Sequence, residues 1–143
     1  MAAVEELLRY QGPVQYDVRY STREVILHGE TIPEHSPVLM LLASATRDER
    51  AFPDADHFDI SRAHSGHNLG FGYGVHSCLG AALARMETRV ALDALLDSVP
   101  RYEVDRAGLK RVHMSNVAGW ANVPVHSLGQ RSASQPISCA APG

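Results

Sequence analysis

Phe71-Gly72-Tyr73-Gly74-Val75-His76-Ser77-Cys78-Leu79-Gly80 is a glycine-rich loop that delivers a cysteine to the start of a strongly patterned helix. The unpaired N–H groups and positive dipole end of a helix start favour an anion, which keeps a nearby sulfur in its thiolate, metal-ligating form. Gly72, Gly74 and Gly80 lack Cβ and let the backbone bend closely beneath a flat cofactor. Backbone amides aimed at the sulfur would tune a metal bound to it. Phe71 is placed to shield that sulfur from water, and His76 to meet a carboxylate on the cofactor rim. A lone cysteine is ordinarily a small core hydrophobe, and a glycine-rich turn is ordinarily only a turn. A dinucleotide loop fits poorly, because the spacing is G-x-G-x-G and the preceding stretch, Arg62 to Asn68, is polar where an apolar strand is needed. The joint spacing of Phe71, Gly74, His76, Cys78 and Gly80 favours the thiolate ligand.

Together these residues resemble the haem-binding signature of the cytochrome P450 family, F-x-x-G-x-[HR]-x-C-x-G, at all five of its fixed positions. The flanks His67-Asn68-Leu69-Gly70 and Ala81-Ala82-Leu83-Ala84-Arg85-Met86-Glu87 are similar to soluble bacterial members. The resemblance implies that Cys78 is the proximal ligand of haem b (iron protoporphyrin IX) and His76 a propionate partner. It implies a second propionate partner in Arg19, near the end of an expected strand; the plain alternative is an exposed strand arginine.

Upstream, residues 2 to 10 read as a helix with Val4, Leu7 and Leu8 on one side and Glu6 and Arg9 three apart on another. Spacing alone suggests a surface pair worth a few tenths of a kcal/mol. Glu6-Leu7-Leu8-Arg9 also matches the family's E-x-x-R, which implies a buried ion pair that fixes the haem-side core. Gly12-Pro13 ends the helix. Val14 to Tyr20 then reads as a strand, Arg23 to Leu27 and Glu30 to Ile32 as a hairpin about His28-Gly29, Val38 to Ala43 as a buried strand, and Ser44 to Arg50 as a short helix. Phe52 to Arg62 is polar and turn-rich and resembles the family's meander. There His57 stands where many members carry an arginine that joins the Glu–Arg pair, and Arg62 is a possible substitute.

Leu79 to Val99 has a helical period, with Leu79, Leu83, Met86, Val90, Leu92, Leu95 and Leu96 forming an apolar stripe. Arg85, Glu87, Arg89 and Asp93 lie opposite. This helix is expected to be core and to hold the cysteine loop rigid, and Pro100 to end it. Arg101 to Asp105, Leu109 to Gly119 and Trp120 to Val125 read as extended passes. Residues 127–143, rich in Ser, Gln, Gly, Pro and Ala, read as a disordered tail in which Cys139 is an idle thiol.

The expected class is therefore α+β: the C-terminal portion of the mainly helical cytochrome P450 fold over residues 1–126, followed by the tail. The chain has 143 residues, 45% of them hydrophobic, and a formal net charge of -3. That composition suits one globular domain and offers no polycation for nucleic acid. The longest apolar run, Pro37 to Ala43, is too short to span a membrane, the first residues make no signal peptide, and two cysteines make no disulfide framework. A reducing, cytoplasmic setting is expected.

The resemblance implies a haem-thiolate monooxygenase acting on a small apolar substrate, with electrons from a ferredoxin-type partner. It lacks the family's long central helix, which walls the distal face of the haem and carries the proton-delivery pair. The expectation is thus a truncated or split member, inactive alone, whose missing N-terminal part could be a separate chain. Beyond the haem ligand no catalytic residue is expected here. A haem-binding module without catalysis, or an interaction fragment that binds no haem, are the alternatives.

Overall fold

The computed structural model describes residues 2–63 and 68–129. His67, Cys139 and most of the expected tail lie outside them. Helix α1 spans Ala2–Gln11 and ends at Gly12, where an added Cβ would sit 2.7 Å from the Leu8 carbonyl oxygen. Strand β1 (Asp17–Tyr20) pairs antiparallel with β4 (Pro37–Met40), with Asp17 opposite Met40 and Arg19 opposite Val38. Between them β2 (Val25–Leu27) and β3 (Glu30–Ile32) form the hairpin. Its two-residue turn has positive φ at both His28 (51°) and Gly29 (86°), a twist that suits two antiparallel strands.

Several expected boundaries shift. Val14 lies ahead of β1 and makes an isolated bridge to Val117. The apolar run after Ser36 is not one buried strand: β4 stops at Met40, is half-exposed, and gives way to a single helical turn, α2 (Leu42–Ala45). A two-stranded sheet has too little area to bury both faces of a strand, and the Ala43 N–H leaves the ladder to reach the Gln15 carbonyl. The expected helix over Ser44 to Arg50 is thus displaced to 42–45, followed by turns.

Helix α3 spans Ala81–Ser98. After it, β5 (Tyr102–Val104) pairs with β8 (Val125–Ser127), and β6 (Lys110–Arg111) with β7 (Trp120–Asn122). Strand β8 therefore runs into the first residue assigned to the tail. Among the described residues, no helix is long and apolar enough to cross a membrane.

The core is small and built around charge. The fully or nearly buried residues among those described are Val4, Phe52 and Ala55 together with Glu6, Arg9 and Thr46. Of the expected apolar side of α1 only Val4 is buried, as Leu7 is exposed and Leu8 half-buried. The expectation that α3 is core fails in this chain. None of its residues is buried, and Leu83, Met86, Val90 and Leu96 are each more than half exposed. Its apolar stripe is real, but apart from half-buried Leu92 it is largely uncovered by the described residues.

Candidate functional site

The cysteine loop closes on itself through main-chain hydrogen bonds. Cys78 N–H donates to the Phe71 carbonyl (2.8 Å), Gly72 N–H to Leu69 (2.8 Å) and Ser77 N–H to Gly74 (3.0 Å), with one 3₁₀ turn at Gly74–His76. Gly72 has φ of 72° and faces the His76 carbonyl oxygen, which a Cβ would meet at 3.3 Å; Gly74 has φ of 67°. Gly80 differs from expectation. Its φ of −82° is open to any residue, and it serves as the cap of α3. Cys78 precedes that cap by two residues, and its carbonyl oxygen accepts the Ala81 N–H at 3.2 Å. Its thiol is free and exposed, and among the described residues none donates a hydrogen bond to Sγ. The N–H groups of Gly72, Ser77, Cys78 and Ala81 are spent on carbonyls and not on the sulfur.

One face of the loop borders a cleft of about 630 Å³. Its walls are mostly apolar, with Pro13, Val14, Leu42, Leu69 and Phe71 among them, and it also takes in Arg19, His76 and Cys78. The structure thus brings together a free thiol and two basic side chains that lie 59 and 2 residues away from it in sequence. Arg19 sits on β1, half-buried, with Nη1 donating to Asp17 Oδ2 at 2.6 Å and to the Val18 carbonyl at 2.9 Å. Asp17, which the sequence reading passed over, lines the same cleft. A hydrogen bond from Val18 N–H, aided by Arg19, holds its carboxyl below the usual range. Its two-residue spacing from Arg19 on one strand was the available signal.

Behind the loop, Arg9 engages Glu6 bidentately, Nε to Oε2 and Nη2 to Oε1, both at 2.8 Å. Its other donors reach the carbonyls of Thr46 (3.0 Å), Ala55 (2.8 Å) and His57 (3.2 Å), so all five guanidinium N–H groups are used. Glu6 also accepts from Asp59 N–H at 2.9 Å, and Arg62 Nε stands 3.3 Å away. These donors, Arg9 foremost, outweigh burial and lower the Glu6 pKa from 4.5 to about 2. The third member of the cluster, beside Glu6 and Arg9, is therefore Arg62. His57 joins through its carbonyl oxygen, which accepts from both Arg9 and Arg62, while the residue itself is exposed.

A second ion pair was missed. Arg85 of α3 reaches Glu5 of α1, with Nη2 3.1 Å from Oε2, and its guanidinium carbon lies 4.7 Å from the centre of the Phe71 ring. The Glu5 hydrogen bonds raise the Arg85 pKa. The partners are 80 residues apart, so local spacing held no signal for them. Among the described residues no three His, Cys, Asp or Glu side chains converge as a nest for a metal ion; a haem iron asks the chain for one axial ligand.

A cysteine loop leading to a helix, a buried Glu–Arg pair and small antiparallel sheets define part of a cytochrome P450 fold. The cytochrome P450 family model matches residues 1–115, and the chain belongs to that family. It is 48% identical over 122 residues to the putative cytochrome P450 123 of Mycobacterium tuberculosis, covering 85% of this chain and 30% of that protein. To the cytochrome P450 monooxygenase PikC of Streptomyces venezuelae it is 48% identical over 104 residues, 72% of this chain and 25% of PikC. Among solved structures, CYP109E1 from Bacillus megaterium in complex with testosterone superimposes with a TM-score of 0.84 at 32% identity, over 90% of this chain and 36% of that one. The chain thus spans roughly a third or less of the length of these relatives. Members of the family are haem proteins, and the PikC relative is named a monooxygenase.

Proposed function

We propose that this chain forms the thiolate side of a haem monooxygenase, with Cys78 as the axial ligand of haem b and Arg19 and His76 as partners of its two propionates. The observation that carries the reading is the shared cleft: a free thiol, two basic side chains and otherwise mainly apolar walls. A flat, mostly apolar macrocycle with two carboxylates at one edge asks for that combination. When bound, thiolate-ligated haem activates dioxygen, the sulfur pushing electron density toward the iron. The residues of this chain bind and orient. Gly72 and Gly74 let the loop turn tightly, Phe71 limits water near the sulfur, and Arg19 and His76 offer hydrogen-bond donors to carboxylates at the edge. Arg19 already holds Asp17, so its free donors, rather than its whole charge, are what it offers.

Oxygenation itself needs cover that the described residues do not give. The apolar stripe of α3 is exposed, and the chain corresponds to about 30% of the tuberculosis relative. We therefore assign catalysis to this chain only in company with the rest of the family fold, from the same or another polypeptide. In that assembly the substrate is a small apolar molecule and the electron donor a ferredoxin-type protein, in a cytoplasmic setting. A solved relative, P450BioI, 32% identical with a TM-score of 0.80, is in complex with a hexadec-9Z-enoic acid ligated acyl carrier protein.

The test is the absorption spectrum of the haem-loaded, reduced, carbon monoxide-bound chain. A red-shifted Soret band that Cys78→Ala abolishes supports the thiolate. Haem uptake without that band overturns it, and failure to take up haem leaves an interaction fragment as the reading, for which the bare face of α3 speaks. Sustained substrate oxygenation by the chain alone would overturn the need for further cover.

A further inference from the structure

We propose that Arg85 is a positioning residue for the cysteine loop: it holds the Phe71 ring against α1 through Glu5, and Phe71 in turn fixes the Cys78 main chain. Three contacts make the relay. Arg85 is pinned to Glu5 by two hydrogen bonds, which orient the plane of its guanidinium. Its charge lies 4.7 Å from the centre of the Phe71 ring, within the range where a cation attracts an aromatic face. The Phe71 carbonyl accepts the Cys78 N–H at 2.8 Å, the bond that closes the loop. Asn68 strengthens the same corner, its Nδ2 donating to the Glu5 carbonyl at 3.2 Å and its Oδ1 accepting the Gly70 N–H at 3.0 Å.

A plain tether between α1 and α3 would need only the ion pair. The position over Phe71 adds something a tether does not, because the ring belongs to the residue whose carbonyl holds Cys78. Arg85 and Cys78 also border a common groove on α3, so the loop has the cofactor cleft on one side and Arg85 on the other. This proposal rests on the thiolate reading only in its spectroscopic arm.

Hydrogen exchange of the haem-free full chain, followed by mass spectrometry, tests the relay. Arg85→Gln should speed exchange in peptides covering Phe71 to Cys78 by about fivefold to tenfold, while the β2–β3 hairpin keeps its rate. The exchanged pair Glu5→Arg with Arg85→Glu should recover the Tm, since the ion pair is restored, yet leave the loop fast, since no cation remains at the α3 end over Phe71. Arg85→Lys, which keeps a cation there, should hold loop exchange to within about threefold of the parent. Recovery of both Tm and loop protection in the swapped pair would reduce Arg85 to a tether and overturn the proposal. So would a Gln variant with an unchanged loop. If the Gln variant unfolds, the hairpin peptides exchange rapidly too, and the Lys and swapped variants decide. With haem bound, Arg85→Gln should lower the fraction showing the red-shifted band. A parent chain that never shows the band sinks the thiolate reading alone and leaves the exchange result standing.

Discussion

Replacing Glu6 by Gln leaves the shape of the buried core nearly intact and removes one charge. The cost can be read from the titration of the native carboxyl. Its pKa falls from the ordinary 4.5 to about 2, which at ~1.4 kcal/mol per pH unit corresponds to about 3 kcal/mol of stability at pH 7. Because the folded-state value is depressed, that stability is fully present above pH 4.5 and is lost as pH falls toward 2. Gln mimics the protonated acid. Parent and Glu6→Gln should therefore differ by about 3 kcal/mol at pH 7, consistent with the ~3–5 kcal/mol for breaking a buried pair. The gap should narrow below pH 4.5 and close near pH 2. Urea unfolding followed by circular dichroism measures this. With a slope of ~1.5 kcal/mol per molar, the midpoint should drop by about 2 M at neutral pH. A gap that stays constant from pH 7 to 3 would refute the charge argument and leave only altered packing.

Gly72→Ala places a Cβ at φ of 72° and 3.3 Å from the His76 oxygen, and should cost about 1–2 kcal/mol, seen as a lower urea midpoint. The double change Leu83→Lys with Val90→Lys, both on the exposed stripe of α3, should reduce self-association in light scattering while leaving the unfolding free energy within about 0.5 kcal/mol. A large loss of stability would mean that those side chains are packed.

The cysteine loop was legible because its chemistry is local: five fixed positions within ten residues carry the turn, the thiol and the approach to the helix that follows. The hairpin was legible for the same reason, since His28-Gly29 supplies both positive φ values the turn needs. Glu6 and Arg9 were legible only through resemblance; three-residue spacing by itself reads as a weak surface pair, and burial depends on Thr46, Ala55 and His57, which lie far along the chain. Arg62 rather than the His57 side chain partners Glu6 because 3.3 Å is set by the path of the meander, which has no periodicity to read. The α3 stripe shows the opposite limit. Its period describes a surface made for burial, and periodicity cannot say whether the burying partner is present.

The manner in which Arg9 uses its guanidinium bears on how this region can change over time. Its grip on residues 46, 55 and 57 is on main-chain oxygens, which every amino acid supplies. Outside the buried Thr46, Phe52 and Ala55, side-chain identity in that irregular stretch is therefore left freer to drift than its length is. Adding or deleting one residue between Thr46 and His57 would carry an acceptor out of reach and strand a donor inside the core. The segment should thus tolerate substitution far better than insertion.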